Sequence, residues 1–272
     1  MATQANTNTR YPATRYAAPV PAAHDIVVRA LTLSDLNDAL RQGFDDFKAK
    51  PSHMLMLGLA YPFAAALAAG AALDRDFLPL IFPIASGFAL TGPFVAIVLY
   101  EISRRRELGQ DFSWRETGSV FKAASSWAVA LLGLALFVAF GFWLITAQTI
   151  FNATVGGAPT SSLFDFLREV LTTSHGWALI IFGNIAGFIF AAAVLAFNVV
   201  SFPMLLDRKV GAPAAMATSL RVTAASPFTI ALWGLIIAGS MLVGFVTVVG
   251  MAVVLPVIGH ASWHVYRKAV PR

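Results

Sequence analysis

Six stretches of this chain contain no Asp, Glu, Lys or Arg: residues 54–73, 77–100, 127–151, 177–204, 228–247 and 250–266. They run 20, 24, 25, 28, 20 and 17 residues, about half of the 272 in the chain. A helix needs roughly 20 apolar residues to cross a hydrocarbon core about 30 Å thick. Backbone amides in hydrocarbon must bond within their own segment, so apolar runs of this length predict helices. A transmembrane barrel would show short alternating segments instead, and none is present. Composition agrees. Only 12% of residues are charged and 58% are hydrophobic, whereas a soluble domain carries about 25% charged residues. A soluble enzyme is excluded. The chain has no cysteine, so disulfides, thiolate metal sites and cysteine nucleophiles are excluded with it.

The last two stretches run together without a polar loop. From Phe228 to Tyr266 a single helix would measure roughly 58 Å, about twice the core. A tight re-entry around Thr247–Gly250 divides it: Gly250 permits the turn, and Pro256 further weakens a continuous helix. The basic residues give an independent test, since they favour the cytoplasmic side. With six spans and both termini inside, 17 of the 19 Lys and Arg fall on the inner segments, leaving Arg75 and Arg168 outside. Five spans would strand the basic C-terminal end outside. The expectation is an all-α bundle of six transmembrane helices arranged as three hairpins. A disordered cytoplasmic tail over 1–28 precedes a membrane domain over 29–272.

An amphipathic helix is predicted over Thr32 to Pro51, lying at the inner membrane face. Leu33, Leu36, Leu40, Phe44 and Phe47 recur at helical spacing, Thr32 or Ser34 can cap the start, and Pro51 marks the end. Similar helices are expected from Ser113-Trp114-Arg115-Glu116, which has capping-box spacing, and from Pro213 through Met216 and Leu220. Phe44 stands seven residues before Pro51, Val120 seven before Trp127, and Leu220 seven before Pro227. Each helix is followed by a span out and a span back, a weak threefold repeat. The external loop 152–176 is expected to hold one short helix, with Ser162 and Asp165 at capping-box spacing and Leu163, Phe166, Leu167 and Val170 on the outer interface.

Within the bilayer, helices associate through small residues and polar bonds. Ala60, Ala64, Ala68 and Ala72 stripe the first span, Gly183 and Gly187 form a GxxxG in the fourth, and Ser240 and Gly244 repeat the spacing in the fifth. Pro83, Pro93 and Pro203 predict bends. Asn184 and Asn198, with Ser201, are polar groups that interhelical bonds or a solute could use. All 33 charged side chains lie outside the six spans, which argues against proton pumping or ion transport. His260 and His264 share one helix face at i and i+4 near the inner end of the last span. That spacing suits a shared metal, yet a metal site normally takes three or four ligands, and no carboxylate neighbours the pair. With Trp263, Tyr266, Arg267 and Lys268 beside them they read as interfacial anchors. Arg104-Arg105-Arg106 reads as an orientation signal that could also meet anionic lipid or an acidic partner. No nucleotide loop, nucleophile elbow or catalytic carboxylate pair occurs, and no soluble basic face for nucleic acid. The residues imply no cofactor and no catalytic group.

Three strings taken together resemble an integral membrane family. They are Asp35-Leu36 with Leu40, Gly43-Phe44-Asp45-Asp46-Phe47 and Pro51; Phe202-Pro203-Met204-Leu205-Leu206-Asp207-Arg208 with Ala215, Ser219, Leu220 and Pro227; and Leu255-Pro256-Val257-Ile258-Gly259-His260-Ala261-Ser262-Trp263-His264-Val265-Tyr266-Arg267. The family is domain of unknown function 2189, and the likeness runs over roughly residues 26–270. It implies a bacterial inner membrane and supplies no catalytic residues. The leading expectation is a non-enzymatic accessory, assembly or scaffold subunit, partnered by the bilayer and by another integral membrane protein. A carrier or channel for a neutral or lipid-like solute is a second reading, and a haem- or metal-binding respiratory subunit a third.

Overall fold

The computed structural model describes residues 23–49, 96–110, 126–156, 163–247 and 250–272, together with Pro83 and Gly92. Apart from a short 3-10 turn at Ala23–Asp25, the elements are α-helices, and no strand occurs among the described residues. In chain order they are α1 (Leu33–Ala49), α2 (Ile97–Glu107), α3 (Ser126–Thr154), α4 (Leu163–Thr172), α5 (Ser174–Asn198), α6 (Ser201–Asp207), α7 (Ala212–Ala225), α8 (Pro227–Thr247) and α9 (Met251–Ala269). The first expected span, most of the second and the Ala60, Ala64, Ala68 and Ala72 stripe lie outside the described residues. So do the tail before Ala23 and the expected helix over 113–125.

Three segments are long and apolar enough to cross a bilayer: Trp127–Thr154, Ser174–Asp207 and Pro227–Gly244. Their surfaces face something apolar. Phe137 on α3, Phe188 on α5 and Val246 on α8 are each at least 70% exposed. In water such a surface would be unstable; in lipid it is the normal outer face. α3 and α5 pack antiparallel, with Gly187 beneath the Trp143 ring and Trp143 Nε1 donating to the Pro83 carbonyl at 3.0 Å. Exposed Trp127 and Trp177 mark opposite ends of this pair, where amphipathic rings favour the interface.

Chain punctuation follows local chemistry. α1 is capped reciprocally: the Thr32 hydroxyl accepts from the Asp35 amide at 3.2 Å, and the Asp35 carboxylate accepts from the Thr32 amide at 2.8 Å. α2 ends at Gly109, whose φ of 68° is open to glycine at little cost. α5 breaks at Val199–Val200, four residues before Pro203, because the proline lacks the amide that would bond that carbonyl. The expected break between the last two apolar stretches is found: α8 stops at Thr247, α9 starts at Met251, and the two pack together. A Cβ on Gly250 would stand 2.1 Å from Thr247 Oγ1, so a larger residue there would have to turn that hydroxyl aside. α9 then continues through Pro256.

α9 is the hub. Gly43 of α1 approaches it so closely that a Cβ there would lie 2.6 Å from the Ala261 nitrogen, and Gly259 admits Leu99 of α2 in the same way. α6 and α8 also contact α9. The core includes Ile97 and Leu99 of α2, Phe202, Met204 and Leu205 of α6, and Trp263 and Tyr266 of α9.

Two expectations need correction. The buried face of α1 is Asp35, Leu36, Ala39, Gly43 and Asp46, while Leu33 and Phe44 are exposed. Helix α1 packs on another helix, and small residues allow that approach where large ones would hold it off. The expected tail also ends earlier than residue 28. Ile26 is buried, Arg221 donates to the carbonyls of Ala23 and Ile26, and the Arg29 amide donates to the Ala269 carbonyl at 2.8 Å.

Candidate functional site

The polar side chains converge where α1, the end of α2, α6 and the end of α9 meet. One centre of this convergence is the buried Asp46, 6% exposed. Its Oδ2 accepts from Ser103 Oγ at 2.5 Å and from His264 Nε2 at 2.9 Å, and its Oδ1 accepts from Arg106 Nη1. His260, fully buried, places Nδ1 2.7 Å from Ser103 Oγ. A carboxylate only accepts, so the single Ser103 hydroxyl proton goes to Asp46, and the part His260 Nδ1 plays toward Ser103 follows its tautomer. The result is a cluster in which Ser103 joins His260 to Asp46, closed from the other side by His264 and Arg106. Burial opposes ionisation of Asp46, but the bonds from His264 and Ser103 and the adjacent imidazoles hold its carboxyl below the usual range.

A second node joins the ends of α2, α6 and α9. Arg267 lies between Glu107 of α2, at 3.1 Å, and Asp207 of α6, at 3.5 Å. Trp263 Nε1 donates to Glu107, and the Tyr266 hydroxyl donates to Asp207 at 2.8 Å. A third node fastens the start of α1. Arg29 bonds Asp35 at 2.7 Å, and Lys268 reaches Asp38 at 3.2 Å. Although burial works against it, the Thr32 amide, Arg29 and the Thr32 hydroxyl bring the Asp35 carboxyl down to about 2.

These contacts reassign the sequence candidates. Arg104 and Arg105 fold back on Glu101, which is 1% exposed, with bonds of 2.7 Å from each Nε, and Arg106 turns to Asp46. The arginine run is therefore largely consumed inside the protein and is not an open basic cluster. Burial resists the Glu101 charge, yet Arg104 and Arg105 keep its carboxyl below the ordinary range. His260 and His264 do share one face, as their spacing requires, and the structure gives them the carboxylate that sequence proximity lacked. Their bonded nitrogens face Ser103 and Asp46. Among the described residues no three His, Asp or Glu side chains are grouped to hold a metal ion.

Asn184 and Asn198 bond within their own helix, to the carbonyls of Ile180 at 2.7 Å and Val194 at 2.9 Å, in place of the interhelical bonds expected. An amide side chain facing hydrocarbon finds the i−4 carbonyl nearest. Ser201, fully buried, likewise bonds Phe197 O at 2.5 Å. Of the GxxxG pair, Gly187 packs against Trp143, while Gly183 faces open space. A cavity of about 350 Å³ lies between α3 and α5, lined by Leu136, Phe142, Phe190, Val194 and Phe197 with Thr146 and Asn198.

Apolar helices with lipid-compatible outer faces, joined at one end by buried ion pairs, define a multi-pass integral membrane protein. Residues 81–207 match the model of a family described as predicted integral membrane protein (DUF2189), which bears out the resemblance read from the sequence. The match includes α2, α3, α4, α5 and α6 but neither the opening string at Asp35–Pro51 nor the ending string at Leu255–Arg267. No curated protein and no solved structure matches the chain.

Proposed function

We propose that this is a six-span protein of a bacterial inner membrane, with both termini cytoplasmic, that works without catalysis as an accessory, assembly or scaffold component of a membrane complex. The observation that carries the reading is the use to which the buried polar groups are put. Asp46, Glu101, Glu107, Asp207 and Arg267 each join one helix turn or helix to another. The fold thereby spends its charge on holding a rigid platform under the apolar spans. The distribution of Lys and Arg supports the orientation, and the two apolar stretches before residue 100 support the count of six. Purification in a mild detergent followed by mass spectrometry tests the reading: a stoichiometric integral membrane partner is expected, and repeated recovery of the bare chain refutes it. A reporter fused after Arg272 should be active only on the cytoplasmic side.

The cavity between α3 and α5 favours a second reading, a carrier for a neutral or lipid-like solute, because it sets Asn198 and Thr146 in an otherwise apolar lining. Proteoliposome flux that is indifferent to Asn198→Leu would refute that placement of the site.

A further inference from the structure

The helices α1 and α7 share four of the five positions that each buries. Leu36, Ala39, Gly43 and Asp46 are buried on α1, and Ala212, Ala215, Ser219 and Val222 are buried on α7, each 176 positions further along; Asp35 and Thr218 stand outside the match. Phe44 and Leu220 fall at the same offset and both point outward. Pro51 and Pro227 keep it too. The docks are also equivalent. α7 docks on α5 and α6, the helices that end the second unit of the sequence repeat, with Ser219 Oγ donating to the Ala196 carbonyl at 2.7 Å. α1 docks on α9, the helix that ends the third unit. The inner ends of α2, α6 and α9 meet at the centre, where Arg267 of the third unit pairs with Glu107 of the first and Asp207 of the second.

The two docks differ in what holds them. α7 follows α6 after four residues, so its dock is always within reach. α1 must find a helix more than 200 residues away, and chain connectivity gives it little local concentration there. At this dock the register position occupied by Val222 in α7 is Asp46, which binds His264 of the third unit and Ser103 and Arg106 of the first. A further bridge joins the same seam: Ser226 Oγ accepts from the Leu31 amide at 2.7 Å, and Thr229 Oγ1 donates to the Leu31 carbonyl at 3.0 Å.

We propose that α1 is a latch closing a ring of three repeated units, and that Asp46 is the residue on which the latch is held. Its release opens the seam between the first and last units while α7 stays docked. This conclusion rests on the matched registers and not on whether the protein serves a partner or a solute.

The absence of cysteine allows a direct test. Ala39→Cys and Ala215→Cys place a thiol at register-matched, fully buried positions of α1 and α7. Maleimide labelling is measured on each in membranes, with Asp46 intact and as Asp46→Ala. The substitution is expected to raise the labelling rate at position 39 by about tenfold or more and to leave position 215 within about twofold. An unchanged rate at position 39 overturns the proposal, as does an equal rise at both positions, which marks general loosening. Where Asp46→Ala does not accumulate, Asp46→Asn takes its place with the same outcomes expected. Failure of both variants to accumulate makes Asp46 a requirement for folding and also overturns the latch.

Discussion

Replacing Gly43 by alanine perturbs the tightest described contact of α1 on α9. The added Cβ would stand 2.6 Å from the Ala261 nitrogen, 2.8 Å from the Ala261 Cβ and 2.8 Å from the Val257 carbonyl oxygen. Ordinary contact begins at 3.4 Å, so each is short by about 0.6–0.8 Å. Two of the three opposing atoms are helix backbone, which a rotamer change cannot move. α1 must lift, and its bonds through Asp46 and Asp35 lengthen with it. Overpacking of this kind costs about 1–3 kcal/mol, and a gap of 0.5–1 Å elsewhere along the interface forfeits a further quarter to half of the dispersion well there. Against this, alanine gains about 1 kcal/mol over glycine in a helix. The net loss is about 1–2 kcal/mol, a factor of roughly 5–30 in the folded-to-unfolded ratio. Gly183→Ala is the paired control, because nothing lies within 4 Å of its Cβ position. It should be neutral or stabilising by up to about 1 kcal/mol. Titration with sodium dodecyl sulfate in mixed micelles reads both through the fluorescence of buried Trp233 and Trp263. If Gly43→Ala unfolds at or above the detergent fraction of the parent, the account of this interface is wrong.

Arg267→Ala should destabilise the core by about 1.5–3 kcal/mol, since it removes the cation shared by Glu107 and Asp207 and leaves Glu107 only the more exposed Arg272; adding Glu107→Gln and Asp207→Asn should recover part of the loss. Ser226→Ala leaves the buried Leu31 amide without its acceptor and should cost about 1–3 kcal/mol, seen as a lower unfolding midpoint. The carboxyls of Asp35, Asp46 and Glu101 all sit below their ordinary values of 3.8, 3.8 and 4.5. In acid the unfolded chain therefore binds more protons than the folded one. Their contribution is complete above those values and drains away as pH falls below them, the Asp35 part persisting to about 2. Unfolding midpoints should drop across this window, and Asp46→Asn should flatten the dependence. Phe188→Lys places a charge on the lipid-facing side of α5 and should impair insertion by about 2.5–3.5 kcal/mol if that residue lies near mid-bilayer, measured as the membrane-integrated fraction.

The spans α3, α5 with α6, and α8 were legible because a bilayer asks for one property, apolar length, and that property is local. The break near Gly250 was legible for the same reason: a continuous helix would overrun the hydrocarbon. The polar nodes were not. Asp46 is separated from Ser103 by 57 residues and from His264 by 218, and spacing within one segment cannot report such neighbours. The arginine run illustrates the cost. Read alone, Arg104-Arg105-Arg106 is a block of exposed charge. In the fold it is opposed by Glu101, one helical turn away and visible in the sequence, and by Asp46, which was not.

The face of α1 was misread for a reason that generalises within this chain. Indexing the helix on its bulky residues selects Leu33, Leu36, Leu40, Phe44 and Phe47; Leu36 is buried and Leu40 and Phe47 pack on the core, but Leu33 and Phe44 are exposed and Asp46 is left off the stripe. Indexing it on small residues selects Ala39 and Gly43, and positions three residues to either side bring in Leu36 and Asp46. For a helix that packs on another helix the second index is the physical one, since backbone separation is set by the smallest side chains at the crossing. On α7 small residues again make up most of the buried face, with Ala212, Ala215, Thr218 and Ser219 beside Val222. Applied first, it would have placed a carboxylate on an inward face, and an inward carboxylate demands donors. His264 and Arg106 are among the few residues able to meet that demand. The histidine pair, which reads from the sequence as interfacial anchors, is in the fold part of the answer to Asp46.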